Sequence, residues 1–298
     1  MAESHTGAQA LNIISKQRAT KPDTGAVGSE LARLLREDAL NLPELPDTAA
    51  RVASLSGSAP ARARDLADIV AGDERSQRSL MQVGRQAACE PGLALDTPRD
   101  VIGWIGPAEA GDIIYTASLQ DALLCDTLQA AQARRVWQVN IAAAIWSREV
   151  AALARRRSKL IYACGLLHDI GKPVTAQACG SIAARLGVAL DDAGVMDLVN
   201  EYHEIVAERM ARRWQLPDAV TRCIRGWRDG RDAGPDEREL PVVHLGHHLA
   251  ELVAEQGPEF AREALAADRV LDLLNIGPDR FRGLVDRAAW VTRQVEAY

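Results

Sequence analysis

Five of the six histidines lie in the second half of the chain, and their helical phase separates inward from outward positions. The segment "SKLIYACGLLHDIGKP" is apolar nearly all round the helical wheel, which predicts a buried helix that carries His168 and Asp169 at its C-terminal end. His203 and His247 each keep phase with apolar residues of their own helices, so both are predicted to point inward. Imidazoles and one carboxylate from three helices form a donor set for a divalent metal such as Mn, Fe, Zn or Mg.

A purely structural interpretation of these four residues stands beside the metal hypothesis. A buried histidine is usually a hydrogen-bonded core residue, and an adjacent aspartate often caps a helix or pairs with a cation. His244 and His248 align with Glu251 and Glu255, which predicts a solvated polar face for them. Their spacing of four residues would also allow a zinc site on that face.

The elements that must position these residues are predicted to be helices throughout. Leu, Ala, Glu and Arg recur at a spacing of 3.6 residues from Glu30 onward, and no segment alternates as a strand would. Residues 1–28 lack this periodicity and are expected to form a flexible tail. The stretch from Asp229 to Glu239 is expected to be an exposed loop.

Helix boundaries are marked by glycine and proline. Four Gly-Pro pairs each offer a left-handed stop followed by a residue suited to the first helical turn: Gly106-Pro107, Gly234-Pro235, Gly257-Pro258 and Gly277-Pro278. Thr97 before Pro98 is an N-cap signal, which predicts a helix from Pro98 that Gly106 ends.

Composition narrows the function classes. The net charge of −6 provides no overall positive field, which disfavours nucleic acid and anionic membranes as partners. The five cysteines are odd in number and contain no C-x-x-C pair, which fits a reducing, cytoplasmic compartment. No export signal is recognised at the N-terminus, and no stretch is apolar for long enough to predict a membrane span.

An ordered series of motifs resembles the HDOD branch of the HD superfamily. "LPELPDTAARVASL" is similar to the opening Leu-Pro-x-Leu-Pro segment of that family, and "ARDLADIVAGDERSQRSLMQVG" to its next two helices. "TPRDVIGWIG" resembles the connector, "LLHDIGKP" the His-Asp motif, and "HEIVAERMARRWQLPDAVTRCIRGW" the later helix pair. The resemblance covers about residues 40 to 255.

This resemblance implies an all-α fold, an HD-domain-like helical bundle with a smaller N-terminal helical lobe. The expected division is a tail at 1–28, an N-terminal lobe at 29–130, an HD-like lobe at 131–257 and C-terminal helices at 258–298. Against the superfamily pattern, Val139 stands where the first metal-binding histidine is expected, and His247 replaces the closing aspartate. Gly226 and Trp227 stand where HD-GYP phosphodiesterases carry histidines.

Two hypotheses for the function follow from these departures. The first is a non-catalytic bacterial signalling protein that acts through contacts with signalling proteins and carries a degenerate His-Asp site; a homo-oligomer is compatible with it. The alternative is a metal-dependent phosphohydrolase or cyclic-nucleotide phosphodiesterase. In that case His168, Asp169, His203 and His247 would hold the metal, and Asp169 and Lys172 would act in catalysis.

Overall fold

Helices make up the regular structure of the chain. The computed structural model describes residues 23–58, 63–87, 95–124, 130–234 and 237–298, and within these ranges no β-strand is formed. The predicted all-α fold class is therefore confirmed. None of the described helices combines the length and the apolar character needed to cross a membrane.

The helices are numbered here in chain order. Those of the first part are α1 (Thr24–Arg36), α2 (Asp47–Ser58), α3 (Ala63–Val70), α4 (Glu74–Ala87), α5 (Pro98–Ile105) and α6 (Pro107–Leu123). The central part contains α7 (Ala130–Leu153), α8 (Ile161–Leu167), α9 (Gly171–Leu186), α10 (Asp192–Arg213), α11 (Asp218–Gly226) and a 3₁₀ helix (Trp227–Asp232). The last part contains α12 (Leu240–Gln256), α13 (Pro258–Leu265), α14 (Arg269–Leu273), α15 (Pro278–Val285) and α16 (Ala288–Glu296).

The start of α5 is the capped helix that the sequence predicts. The backbone N–H of Asp100 donates to the Thr97 hydroxyl at 3.2 Å, and the backbone N–H of Thr97 donates to the Asp100 carboxylate at 2.9 Å. These reciprocal bonds satisfy donors that the first turn of a helix leaves free. Gly106 ends the helix with φ of 86°, and Pro107 opens α6.

The other Gly-Pro pairs follow this pattern in part. Pro258 and Pro278 open α13 and α15, and Gly257 has φ of 88°, so the prediction holds for these starts. Gly277 was expected to be left-handed, but its φ of −72° is extended backbone. The pair that contains Pro235 lies outside the described residues.

The segment predicted to be a flexible tail overlaps the first described helix. Helix α1 begins at Thr24, within the segment 1–28, and the Asp23 carboxylate accepts the backbone N–H of Ala26 at 2.9 Å. Val27 and Gly28 are buried where α1 packs on α9 and α10. Too few apolar residues of this first helix precede Glu30 for their spacing to indicate a helix in the sequence. Residues 1–22 lie outside the described residues.

Helix α7 is the central element of the second half. It packs mainly against α12 and α8, and also contacts α9, α15 and α16. Trp137 and Trp146 on α7 are fully buried, and Trp214 and Trp227 are also in the core, as the sequence predicted. In the first half, α6 packs against α2 and α4.

Two of the sequence motifs meet at one point of the fold. The indole N–H of Trp214 donates to the carbonyl of Pro43 at 2.9 Å, and Arg213 forms an ion pair with Glu44. The "RWQLP" turn after α10 is therefore bound to the "LPELP" segment before α2. This contact fixes the first half of the chain against the second.

Candidate functional site

The predicted His-Asp pair lies in the turn between α8 and α9. His168 and Asp169 are 1% and 2% exposed. The start of α9 lies so close to α10 that a Cβ on Gly171 would be 1.9 Å from the backbone carbonyl oxygen of His203. Only glycine permits this approach, and it brings His203 beside the pair.

His247 reaches the same region from α12. A Cβ on Gly246 would lie 2.5 Å from the Ser147 hydroxyl oxygen on α7, so α12 and α7 are in close contact there. His247 follows directly and is 3% exposed. The structure thus brings together His168, Asp169 and His247, whose ligand atoms all lie within 4.8 Å of one another.

A direct hydrogen bond joins the two imidazoles of His168 and His247. Nδ1 of His168 lies 2.7 Å from the carbonyl of Gly165, and Nε2 lies 2.9 Å from Nδ1 of His247. Because a carbonyl only accepts, Nδ1 of neutral His168 carries the hydrogen and its Nε2 accepts from His247. Nε2 of His247 then faces the Glu251 carboxylate at 3.6 Å. Both nitrogens of His168 are engaged.

Two cationic side chains contact Asp169. Nζ of Lys172 lies 2.5 Å from Oδ2, and Nη2 of Arg228 lies 3.5 Å from Oδ1. The carboxylate is 3% exposed, whereas the lysine is 21% and the arginine 39% exposed. The buried negative charge is therefore balanced by cations that extend in from the surface.

Arg228 also binds His203. Nδ1 of His203 donates to the carbonyl of Val199 at 2.8 Å, so Nε2 is the acceptor in its contact with Nη2 of Arg228, also at 2.8 Å. The distance from His203 Nε2 to Asp169 Oδ1 is 4.0 Å. One guanidinium thus lies against both of the groups that sequence analysis proposed as neighbouring metal ligands.

Trp227 covers the histidine pair. Its ring centroid lies 4.9 Å from that of His168 and 4.0 Å from that of His247, and the guanidinium of Arg228 stacks over the same indole at 4.6 Å. The 3₁₀ helix that begins at Trp227 occupies part of the segment expected to be an exposed loop. Its Gly230 is buried, but Asp229, Arg231 and Asp232 are exposed, so the expectation is corrected only for the 3₁₀ turn and the burial of Gly230.

The protonation states of His168 and Asp169 depend on burial and on the neighbouring charged groups. Burial, together with the nearby His247, lowers the pKa of His168 to about 3, so this imidazole is neutral at pH 7. Burial by itself would raise the pKa of Asp169, but His168 when protonated and the Lys172 ammonium outweigh it and lower that pKa to about 2. The ionised Asp169 is therefore the stable form across the neutral range.

His244 is buried, whereas the sequence predicted a solvated position. It is 1% exposed, not solvated, and its Nδ1 donates to the carbonyl of Trp227 at 3.0 Å. The 3₁₀ helix covers this side of α12, which periodicity within α12 alone could not indicate. His248 is half-buried and forms a second group of donor atoms within 4.8 Å together with His247 and Glu251.

Val139 occupies a groove between α7, α12 and α16. It is partly buried beside Ala250 and Val291, among apolar residues. Asn140 lies two helical turns before Ser147, which, like Ala143, is an α7 residue close to both α8 and α12. Asn140 is 1% exposed, and its amide nitrogen has no hydrogen-bond partner among the described residues. Asn140, which sequence analysis missed, is therefore buried on the face of α7 that carries Ser147, whereas Val139 lies in the groove beside α12 and α16.

The fit of a divalent metal to this cluster is poor in its present arrangement. The donors converge, but the lone pair of His168 Nε2 is used by His247, that of His203 Nε2 by Arg228, and the Asp169 carboxylate by two cations. A metal would have to displace these partners against the repulsion of Lys172 and Arg228. The geometry supports a network of hydrogen bonds and ion pairs that extends through Arg228 to Glu204 at the surface.

Comparison with known families and structures extends this description. The family model of the HDOD domain matches residues 42–228, a shorter span than the expected 40 to 255. None of the curated proteins matches the chain.

Among solved structures, the "Putative metal-dependent phosphohydrolase" from Shewanella amazonensis SB2B is similar with a TM-score of 0.67 and 16% identity, over 91% of this chain and 99% of that one. An HDOD domain protein of unknown function from Geobacter sulfurreducens has a TM-score of 0.66 and 16% identity, over 92% and 98%. A "Putative signal transduction protein" from Marinobacter aquaeolei VT8 has a TM-score of 0.61 and 22% identity, over 93% and 67%. At these identities the likeness establishes the fold.

Proposed function

Because the chain belongs to the HDOD family, we propose that it is a non-catalytic signalling protein that acts through contacts with other proteins. The observation that carries the proposal is the position of Arg228. Its guanidinium lies 2.8 Å from His203 and 3.5 Å from Asp169, in the place where a hydrolase of this type would need a metal.

The residues of the cluster can do structural work without a metal. Asp169, Arg228 and His203 connect the turn after α8, the 3₁₀ helix and α10. His168 and His247 connect that same turn to α12. Buried polar groups that satisfy one another in this way fix one arrangement of the helices. We therefore assign the degenerate His-Asp site to holding the scaffold in a single shape for recognition by a partner.

The compartment and the class of partner are proposed on chemical grounds. The net charge of −6 favours signalling proteins over nucleic acid as partners, and the free cysteines of the described residues, Cys164, Cys179 and Cys223, fit a cytoplasmic compartment. The name of the Marinobacter structure accords with such a role. Association of the chain with itself is compatible with the proposal, as are an N-terminal lobe up to residue 130 and an HD-like lobe from 131 to 257.

A turnover assay tests the proposal. The purified protein is assayed with Mn, Fe, Mg and Zn against nucleotides and cyclic dinucleotides, beside Asp169→Ala and the control Asp197→Ala, whose aspartate is exposed on α10. We expect no turnover that depends on metal. Metal-stimulated hydrolysis that disappears in a folded Asp169→Ala variant and persists in the control would overturn the proposal.

A second function, metal-dependent phosphohydrolysis, is favoured by one observation. Donor atoms of His168, Asp169 and His247 already lie within 4.8 Å of one another, and the Shewanella structure carries the name of such an enzyme. In that case these three residues and His203 would hold the ion, which would activate water; Asp169 would ligate the ion or orient the water, and Lys172 would steady the substrate phosphate. The alternative requires Arg228 to leave the cluster.

A further inference from the structure

A cavity of about 240 Å³ lies between the two halves of the chain, with none of its walls formed by the His-Asp cluster. Helices α2 and α6 contribute from the first half. The start of α8 and the turn between α10 and α11 contribute from the second half. The lining includes Ala50, Asp112, Tyr115, Lys159, Ala163 and Trp214.

The cavity is held open by the contact between the two motifs. Trp214, which lines the cavity, is fixed by its hydrogen bond to Pro43, and Leu45 of the same segment forms another part of the wall. Gly111 on α6 leaves space in the cavity because it has no side chain. A Cβ at this position would lie 3.7 Å from Val52. Most of the surface is apolar or aromatic, as in pockets that bind small molecules.

One carboxylate forms the polar part of this wall. Oδ2 of Asp112 lies 3.2 Å from Nη1 of Arg148, whose Nη2 lies 3.7 Å from Glu109. Asp112 keeps 27% of its side chain exposed although α6, α7 and α8 surround it, so part of the carboxylate faces the cavity. Two acids share one guanidinium, so Asp112, when ionised, has no buried cation of its own among the described residues.

The other polar groups in the lining have their own partners or face solvent. The Tyr162 hydroxyl is 2.8 Å from that of Thr116, so it is already hydrogen-bonded. Lys159 is exposed, and water and salt screen its charge. Burial removes solvating water from the Asp112 carboxylate and raises its pKa to about 7, opposed by Arg148. A ligand cation would supply the missing solvation.

We propose that this cavity binds a small aromatic amine, with its ring against Trp214 and Tyr115 and its ammonium group on Asp112. The volume exceeds the roughly 150 Å³ of a cavity that holds benzene and suits a bicyclic ring. Aromatic walls also favour a cation by cation–π attraction. Since both halves of the chain form the walls, bound ligand would favour one packing of the halves over others, which is how such a protein could receive a signal.

The test uses the full chain and three matched probes: tryptamine, uncharged indole and anionic indole-3-acetate. Calorimetry and thermal unfolding report binding. We expect tryptamine to bind at least ten times more tightly than indole-3-acetate and several times more tightly than indole. No binding of tryptamine, or tighter binding of the acid, would overturn the proposal.

Variants locate the binding. Asp112→Asn is expected to remove the preference for tryptamine over indole, whereas the control Asp121→Asn, on the same helix but paired with Arg75 outside the cavity, should retain it. Ala163→Phe fills the cavity from α8, and Ala50→Phe fills it from α2. Either variant, if circular dichroism shows that it is folded, should bind none of the three probes. Unchanged tryptamine binding in Asp112→Asn or in a folded filling variant would contradict the assignment.

Discussion

Asp169 is the residue on which the buried charges of the cluster depend. Replacement by Asn keeps the shape but leaves Lys172 and Arg228 without their shared buried counter-ion. We expect Asp169→Asn to lower the free energy of unfolding by about 1 to 3 kcal/mol. Urea denaturation at pH 7 measures this, with exposed Asp197→Asn as control. Equal stability of the two variants would show that the ion pairs contribute nothing.

Residue-level patterns identified the histidines better than their partners. His168, His203 and His247 are buried, as helical phase indicated. His168 and His247 lie together and His203 Nε2 is 4.0 Å from Asp169 Oδ1, although metal ligation stays a prediction. His244 was placed wrongly, because its burial depends on a separate 3₁₀ helix. Arg228 gave no sequence signal of its role, since an arginine after a tryptophan is ordinary on a surface.

At the scale of elements, the junction of α9 with α10 is the most constrained point. A Cβ at Gly171 would be 1.9 Å from a backbone oxygen, so Gly171→Ala must push the helices apart. We expect a loss of about 1 to 3 kcal/mol in the free energy of unfolding, as for other overpacked sites. Chemical denaturation of Gly171→Ala, beside the control Gly103→Ala, measures this loss.

Gly103→Ala is the matched control. Gly103 is also helical, but a Cβ there would meet nothing within 4 Å. Alanine lowers the entropy of the unfolded chain, so this variant should be equally stable or more stable by up to about 1 kcal/mol. Equal effects of the two substitutions would contradict the close approach of α9 and α10.

Helix starts at Thr97, Pro107, Pro258 and Pro278 could be predicted because a cap is a local signal. The conformation of Gly277 could not, since extended and left-handed glycines look the same in sequence. The same limit applies to Val139. Its register on α7 was taken from a family pattern, and a rotation of one residue changes which side chain faces the cluster.

For the whole molecule, Asp112 links stability to pH. Its pKa is about 7 in the folded protein and about 3.9 in an unfolded chain, and it is surrounded by Arg148, Glu109, Tyr162 and Tyr298. As pH rises from about 4 to 7, the unfolded chain releases this proton while the folded protein retains it. The contribution of Asp112 to stability therefore falls over that range.

Asp112→Asn should remove this dependence. Relative to the natural protein, the variant is expected to gain more than about 1.4 kcal/mol, the equivalent of one pKa unit, between pH 4 and pH 8. Denaturation curves across this range provide the comparison, with Asp121→Asn as control. A difference in stability that does not vary with pH would mean that the carboxylate is ionised normally in the folded protein.

The overall fold was predictable because helical periodicity, caps and the ordered motifs all indicate the same class. The limit of the N-terminal tail and the cavity between the halves were not, since both depend on contacts between distant segments, such as Trp214 with Pro43. The division into lobes at residue 130 stays a prediction, and the HDOD match from 42 to 228 crosses it.

In the proposed function, Arg228 takes the place of a metal at the His-Asp cluster. The direct measurement is calorimetric titration of Mn²⁺ and Zn²⁺ into the natural protein, Arg228→Ala and the control Arg225→Ala, whose arginine pairs only at the surface with Glu208. Removal of the guanidinium frees Nε2 of His203 and Oδ1 of Asp169, while Lys172 stays on Oδ2, so we predict metal binding by Arg228→Ala at least ten times tighter than by the other two. Stoichiometric binding by the natural protein that is lost on Asp169→Asn would contradict the account.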